Sequence, residues 1–198
     1  IPVAIGRYLA RRPDTRIDLV EQLSFDIPRL VIEGQADIGV YHALQPAPGL
    51  TSHRYIRDRV VLVVPQGHRL ASHPSLRLEE AIDEDFIGYF PRHSFEAFME
   101  VAEHGLSRPL NVRVQVTSFE ARCTMVRQGV GLAVMPEQGA RRHAAAMGLA
   151  CVPLADQWAV RQYYLCVRGG DAPKAHVGDL VEHLLRARGD GSALHPDL

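Results

Sequence analysis

RIDLVEQLSFDIPRLVIEGQADIGV, residues 16–40, and RVQVTSFEARCTMVRQGVGLAVM, residues 113–135, carry one pattern twice. Each opens on an apolar-rich stretch of strand character and passes through Ser-Phe. Each then runs for about two and a half helical turns, reaches a glycine and ends in a second short apolar stretch. Ser24 holds the place of Ser118, and Gly34 that of Gly129. Strand, helix and strand over this length make a βαβ crossover, whose strands run parallel. Two copies predict two similar α/β lobes facing each other. In such folds ligands sit where strand C-ends meet helix N-ends, and both Ser-Phe pairs would lie there. The competing reading is a chance match, since any α/β protein yields βαβ units.

Composition narrows the function classes. A net charge of −1 and a pI near 6.9 argue against this segment gripping nucleic acid by itself, because phosphate contacts need a basic surface. No apolar run reaches the roughly 18 residues of a membrane span. Cys123, Cys151 and Cys166 are odd in number, match no metal or redox spacing and sit in apolar stretches such as LACVPL and YYLCVR. They read as small buried hydrophobes in a reducing compartment.

Taken in order, residues 3–12 predict a helix with Val3, Ile5, Tyr8 and Leu9 on its apolar stripe, stopped by Pro13. A βαβ sheet places a strand before such a helix, so the chain is expected to be a fragment lacking it. Residues 17–23 alternate as a strand. Ser24 or Asp26 caps the next helix. With Ser24 as cap, Pro28 removes an early backbone bond, so this helix starts late or with a loosened first turn. Gly34 ends it, and 36–41 form a short buried strand. Residues 50–56 and 60–65 read as two strands joined by Arg57-Asp58-Arg59, and VVLVV is apolar on both faces, as in a central strand. Residues 78–90 give a short acidic helix and the strand FIGYF, and Ser94 caps a helix over 95–105. Pro136 opens a helix that Gly148 closes; 150–154 and 162–167 are strands. Residues 174–188 form an amphipathic helix with Val177, Leu180, Val181, Leu184 and Leu185 on one face. Residues 189–198 read as a flexible tail.

No catalytic motif is present: no G-x-S-x-G, P-loop, H-E-x-x-H or G-x-G-x-x-G. His176 and His183, and His68 and His73, lack a nearby third ligand in sequence, so no metal or cofactor is expected. What remains is hydroxyls at helix starts: Ser24, Ser94 and the pair Thr117-Ser118. If they converge, they make an anion pocket suited to a small carboxylate. If not, each is a plain N-cap. Tyr41 and His42 would lie at the same mouth, with Phe25, His93 and Phe119 as walls.

The order of these elements resembles the effector-binding domain of LysR-type transcriptional regulators. The carrying segments are Ile1-Pro2 with RRPDTRIDLVEQ, LVIEGQADIGV, RDRVVLVVPQGHRLA, VTSFEARCTMVRQGVGLAVMP, VPL and YYLCVR, spread over residues 1–188. The resemblance implies two Rossmann-like lobes like those of periplasmic binding proteins, with a small effector in the cleft. Lobe I would be residues 1–66 with 167–188, and lobe II residues 67–166. It implies a cytoplasmic regulator that meets DNA only through an N-terminal winged helix-turn-helix domain outside this chain. Ser24 matches the Ser/Thr that touches the effector after the second strand. His93, Ser94, Phe95, Thr117 and Ser118 fall where the second lobe contributes, and Pro136 joins this set. The resemblance also implies homodimers, tetramers in the full-length protein, built from residues 3–12 and 119–128. Ile5, Tyr8, Leu9, Arg122, Met125 and Val126 would form that interface. No cysteine occurs in 89–98, where redox-sensing members carry one, so peroxide sensing is not expected. The alternatives are a free-standing solute-binding protein and, against the missing acid/base pair, an enzyme such as a dehydratase.

Overall fold

The computed structural model describes residues 1–89, 94–170 and 174–188, with only the backbone at 94–97 and 101. The helices are α1 (Pro2–Arg11), α2 (Ile27–Ile32), α3 (Ser94–Glu103), α4 (Phe119–Arg127), α5 (Glu137–Met147) and α6 (Ala175–Ala187). The strands are β1 (Gly39–His42), β2 (Leu50–Pro65), β3 (Asp85–Tyr89), β4 (Asn111–Val116), β5 (Ala133–Pro136), β6 (Leu149–Pro153) and β7 (Val160–Arg168). They make a mixed α/β chain of two compact units: unit 1, Ile1–Ile56 with the segment from Gln162 onward, and unit 2, Arg57–Arg161. No described helix is long and apolar enough to cross a membrane.

Unit 2 is built on the second copy of the pattern. β3 pairs in parallel with β4. A parallel bridge between Phe86 and Leu132 joins β3 to the start of β5, with Ile87 N donating to Leu132 O at 2.8 Å and Leu132 N to Asp85 O at 2.7 Å. The crossover β4–α4–β5 therefore spans β3 and keeps one strand direction. β2 lies between β5 and β6 and runs antiparallel to both. The predicted central strand is there: Val60 to Val64 are at most 1% exposed. Val60, Leu62 and Val64 pack into one core and Val61 and Val63 into the other, which is why this run lacks a polar position.

Unit 1 departs from expectation. Residues 17–23 are not a strand; no ladder among the described residues includes them, and Leu19 and Val20 are 56% and 69% exposed. An extended stretch becomes a strand only when a neighbour takes its backbone groups. The first copy is therefore not a paired crossover here. Its second strand, β1, pairs antiparallel with β7, which lies between β1 and β2. α2 starts late, as Pro28 predicts: Asp26 holds the N-cap position and Pro28 falls in the first turn. Both copies end their helix on a left-handed glycine, Gly34 at φ +74° and Gly129 at φ +72°. α6 packs its predicted face onto Tyr55, Leu165 and Val167, and α1 adds Ala4 and Ile5 to that core.

Two local readings also change. Residues 50–56 and 60–65 are one continuous strand, because Asp58 inside it is neutralised by Arg161 rather than turned to solvent. The two compact units divide at 56/57 and 161/162. The second half of β2 takes its partners, β5 and β6, from unit 2. The short acidic helix at 78 is a single 3-10 turn, Leu78–Ala81. Phe90 and the proposed tail, 189–198, lie outside the described residues.

Candidate functional site

In unit 2 the C-terminal ends of β3 and β5 meet the N-terminal end of α4, the place where open α/β sheets bind ligands. Ser118 caps α4, its Oγ accepting from Ala121 N at 3.1 Å, while Thr117 and Ser118 are both exposed. The N-cap reading therefore holds for Ser118, and its hydroxyl stands at the free turn of a nine-residue helix. Pro136 is half-buried and opens α5. Phe119 packs against Gly139: a Cβ there would lie 2.8 Å from the Phe119 ring, so only glycine lets α5 approach so closely. Ser94 and Phe95 begin α3, with side chains outside the description, and His93 lies outside the described residues.

Below this edge sits a charged layer that sequence reasoning missed. Arg122 is 1% exposed. Its guanidinium stacks 3.6 Å from the centre of the Tyr89 ring and donates to Gly88 O and, at 3.2 Å, to Val134 O. Asp58 and Arg161 are also buried and form an ion pair. Arg161 further lies 5.2 Å from the Phe98 ring centre. Burial pushes the Asp58 carboxyl up, and Arg161 opposes it. Burial also lowers the Arg122 guanidinium and raises the Tyr89 phenol, which stays protonated. Tyr89, at the end of a strand already predicted, was within reach of the sequence. The Asp58–Arg161 pair joins residues too far apart in sequence for any motif to show it.

Arg122 and Val126, expected at a subunit interface, are buried in unit 2 instead, because α4 turns Arg122, Cys123 and Val126 inward. Tyr8 is likewise 4% exposed, with its hydroxyl on Asp179 at 3.2 Å and its ring 5.3 Å from His183. Ile5 packs against the core around α6. Leu9 and Met125 are half-buried.

In unit 1, Ser24 is not a helix cap. Its turn precedes α2, and its Oγ accepts from His42 N at 3.3 Å, pinning the turn to the end of β1. The His42 ring lies 5.9 Å from that of Tyr163. Phe25, next to Ser24, is 67% exposed. Tyr41 does not line a mouth: it is 2% exposed, accepts from Ala47 N at 2.8 Å and shares a hydrogen bond with Ser52 Oγ at 3.3 Å. Strand alternation turns Gly39 and Tyr41 into the core and leaves His42 at the surface side.

Elsewhere in unit 2 a hollow of about 430 Å³ is lined by Arg77, Glu79, Leu106, Asp156 and Trp158 among others. Its two carboxylates are already engaged, Glu79 by Ser107 and Asp156 by Leu78 N. Among the described residues no group of three His, Cys, Asp or Glu is placed to hold a metal ion.

Against this geometry, residues 1–189 match the model of the LysR substrate binding domain. The chain belongs to the LysR substrate binding domain family. An uncharacterized HTH-type transcriptional regulator of Methanocaldococcus jannaschii is 33% identical over 113 residues, 55% of this chain and 38% of that protein. The transcriptional activator protein LysR of Escherichia coli is 27% identical over 147 residues, 73% of this chain and 47% of that protein. The chain thus spans less than half the length of these curated relatives. In structure it resembles the regulatory domain of CcmR from Synechocystis in complex with 2-PG, with a TM-score of 0.80 at 16% identity, covering 96% of this chain and 91% of that one. It also resembles the effector binding domain of BenM with benzoate, with a TM-score of 0.75 at 23% identity, covering 99% and 89%. At such identities the likeness speaks for the fold, the two-lobed α/β fold of LysR-type sensor domains.

Proposed function

We propose that this chain is the effector-sensing part of a cytoplasmic LysR-type DNA-binding transcription regulator, that it catalyses no reaction and that its effector is a small organic acid. The observation that carries the reading is the family match across residues 1–189, in a chain whose curated relatives are regulators. Support for an acid comes from the chemistry of unit 2, where Ser118 caps α4 and the guanidinium of Arg122, one turn on, is buried.

The residues assigned to effector recognition are Ser24, Phe25 and His42 in unit 1, and His93, Ser94, Phe95, Thr117, Ser118 and Pro136 in unit 2. The mechanism is differential affinity: an effector that binds one state of the regulator better shifts the population toward that state. DNA is met through a separate helix-turn-helix domain, and the protein works as a homodimer or higher oligomer.

The test is a thermal-shift screen of small carboxylates, followed by calorimetry on a hit. A ligand at 100 times its Kd adds about 2.7 kcal/mol of stability. Ser24→Ala and Ser118→Ala are each expected to weaken the hit more than they lower Tm. Unchanged affinity in both variants removes these serines from the site. A silent panel, together with effector-independent DNA binding by the full-length regulator, overturns the reading.

A further inference from the structure

Among the described residues, the buried charged side chains are Asp58, Arg122 and Arg161, all in unit 2. Asp58 and Arg161 neutralise each other. Arg122 does not share that balance. Among the described residues its partners are two backbone carbonyls and the face of an aromatic ring, none of them an opposite charge. Its Nε has no hydrogen-bond partner among the described residues. A buried cation without a counter-charge opposes folding strongly and is better replaced by an apolar side chain for stability alone. Its presence is a functional signal.

Its position says which function. Arg122 stands one helical turn after Ser118 on α4, and helical side chains lean back toward the N-terminus. The guanidinium accordingly reaches Gly88 O near the C-terminal end of β3 and Val134 O within β5. Its charge adds to the positive end of α4 in a setting of low polarizability, where it is weakly screened. We infer that Arg122 supplies the positive charge that selects an anionic effector at the first turn of α4. It is a positioning residue that acts through the local field, not a residue that touches the ligand. This inference rests on the sensor reading and names the group that sets the sign of the ligand.

The experiment uses inorganic phosphate as the probe, with sodium chloride at matched ionic strength as the reference. The Tm of the wild-type chain is expected to rise saturably in the millimolar range. Arg122→Met, close in length and uncharged, is expected to fold and to lose the response; Arg122→Lys is expected to keep most of it. In the wild type the Nε–H resonance of Arg122 is expected to move with phosphate and not with chloride, which tests the idea even if the methionine variant fails to fold. An equal response in wild type and Arg122→Met, or none in either, overturns the inference. A carboxylate that stabilises both proteins equally also overturns it while leaving the sensor reading intact. A phosphate response lost in Arg122→Met beside a silent carboxylate panel does the reverse.

Discussion

The two copies of the strand–helix–strand pattern start from similar sequences and reach different ends. In the second copy β4 finds β3, α4 covers the sheet and Met135 is fully buried. In the first copy the stretch 17–23 has no ladder partner among the described residues, and its Leu19 and Val20 face solvent. Both helices nonetheless end on a left-handed glycine. The difference teaches that a helix stop is a local property of the chain, whereas a strand is a property of two segments. Serine shows the same split: Ser118 is an N-cap, but Ser24 ties a turn to β1.

The sharpest way to break this comparison is to remove a charge from each unit. Asp58→Ala removes the carboxylate that pairs with buried Arg161 in unit 2 and is expected to cost about 3–5 kcal/mol in urea unfolding. Arg12→Ala in unit 1 removes the exposed cation that pairs with Asp179 and is expected to cost no more than about 1 kcal/mol. Equal losses would mean that burial does not distinguish the two pairs. Next in size come the apolar positions of the two copies. Met135→Ala is expected to cost about 2–5 kcal/mol. Leu19→Ala is expected to stay within about 0.5 kcal/mol, and a larger loss would show that 17–23 is packed in solution.

Smaller still is the contrast of the serines. Ser118→Ala removes a helix cap and is expected to cost about 1 kcal/mol. Ser24→Ala breaks one 3.3 Å contact to His42 N and is expected to cost less, read from the same unfolding curves. The least effect separates the thiols. Burial pushes Cys151 in unit 2 and Cys166 in unit 1 up to about 11. A raised thiol favours the folded state below its ordinary value of 9.0, and that contribution is lost as pH rises toward 11. Stability is therefore expected to fall across this window, and replacing either cysteine by alanine should flatten the fall equally in both units.

Periodicity and punctuation alone determined the helices at Pro2–Arg11, Phe119–Arg127, Glu137–Met147 and Ala175–Ala187, the doubly buried run Val60–Val64 and the glycine stops, because each depends on residues within a turn or two of one another. The family resemblance rested on the same local segments. Strand direction, the single long β2, the inward turn of Arg122 and the pairing of Asp58 with Arg161 were decided only in three dimensions. Each depends on which distant segment arrives to take a hydrogen bond or a charge, and no window of sequence holds both partners. An arginine on a helix reads as a surface residue until the carbonyls that receive it, Gly88 and Val134, are seen to converge on it.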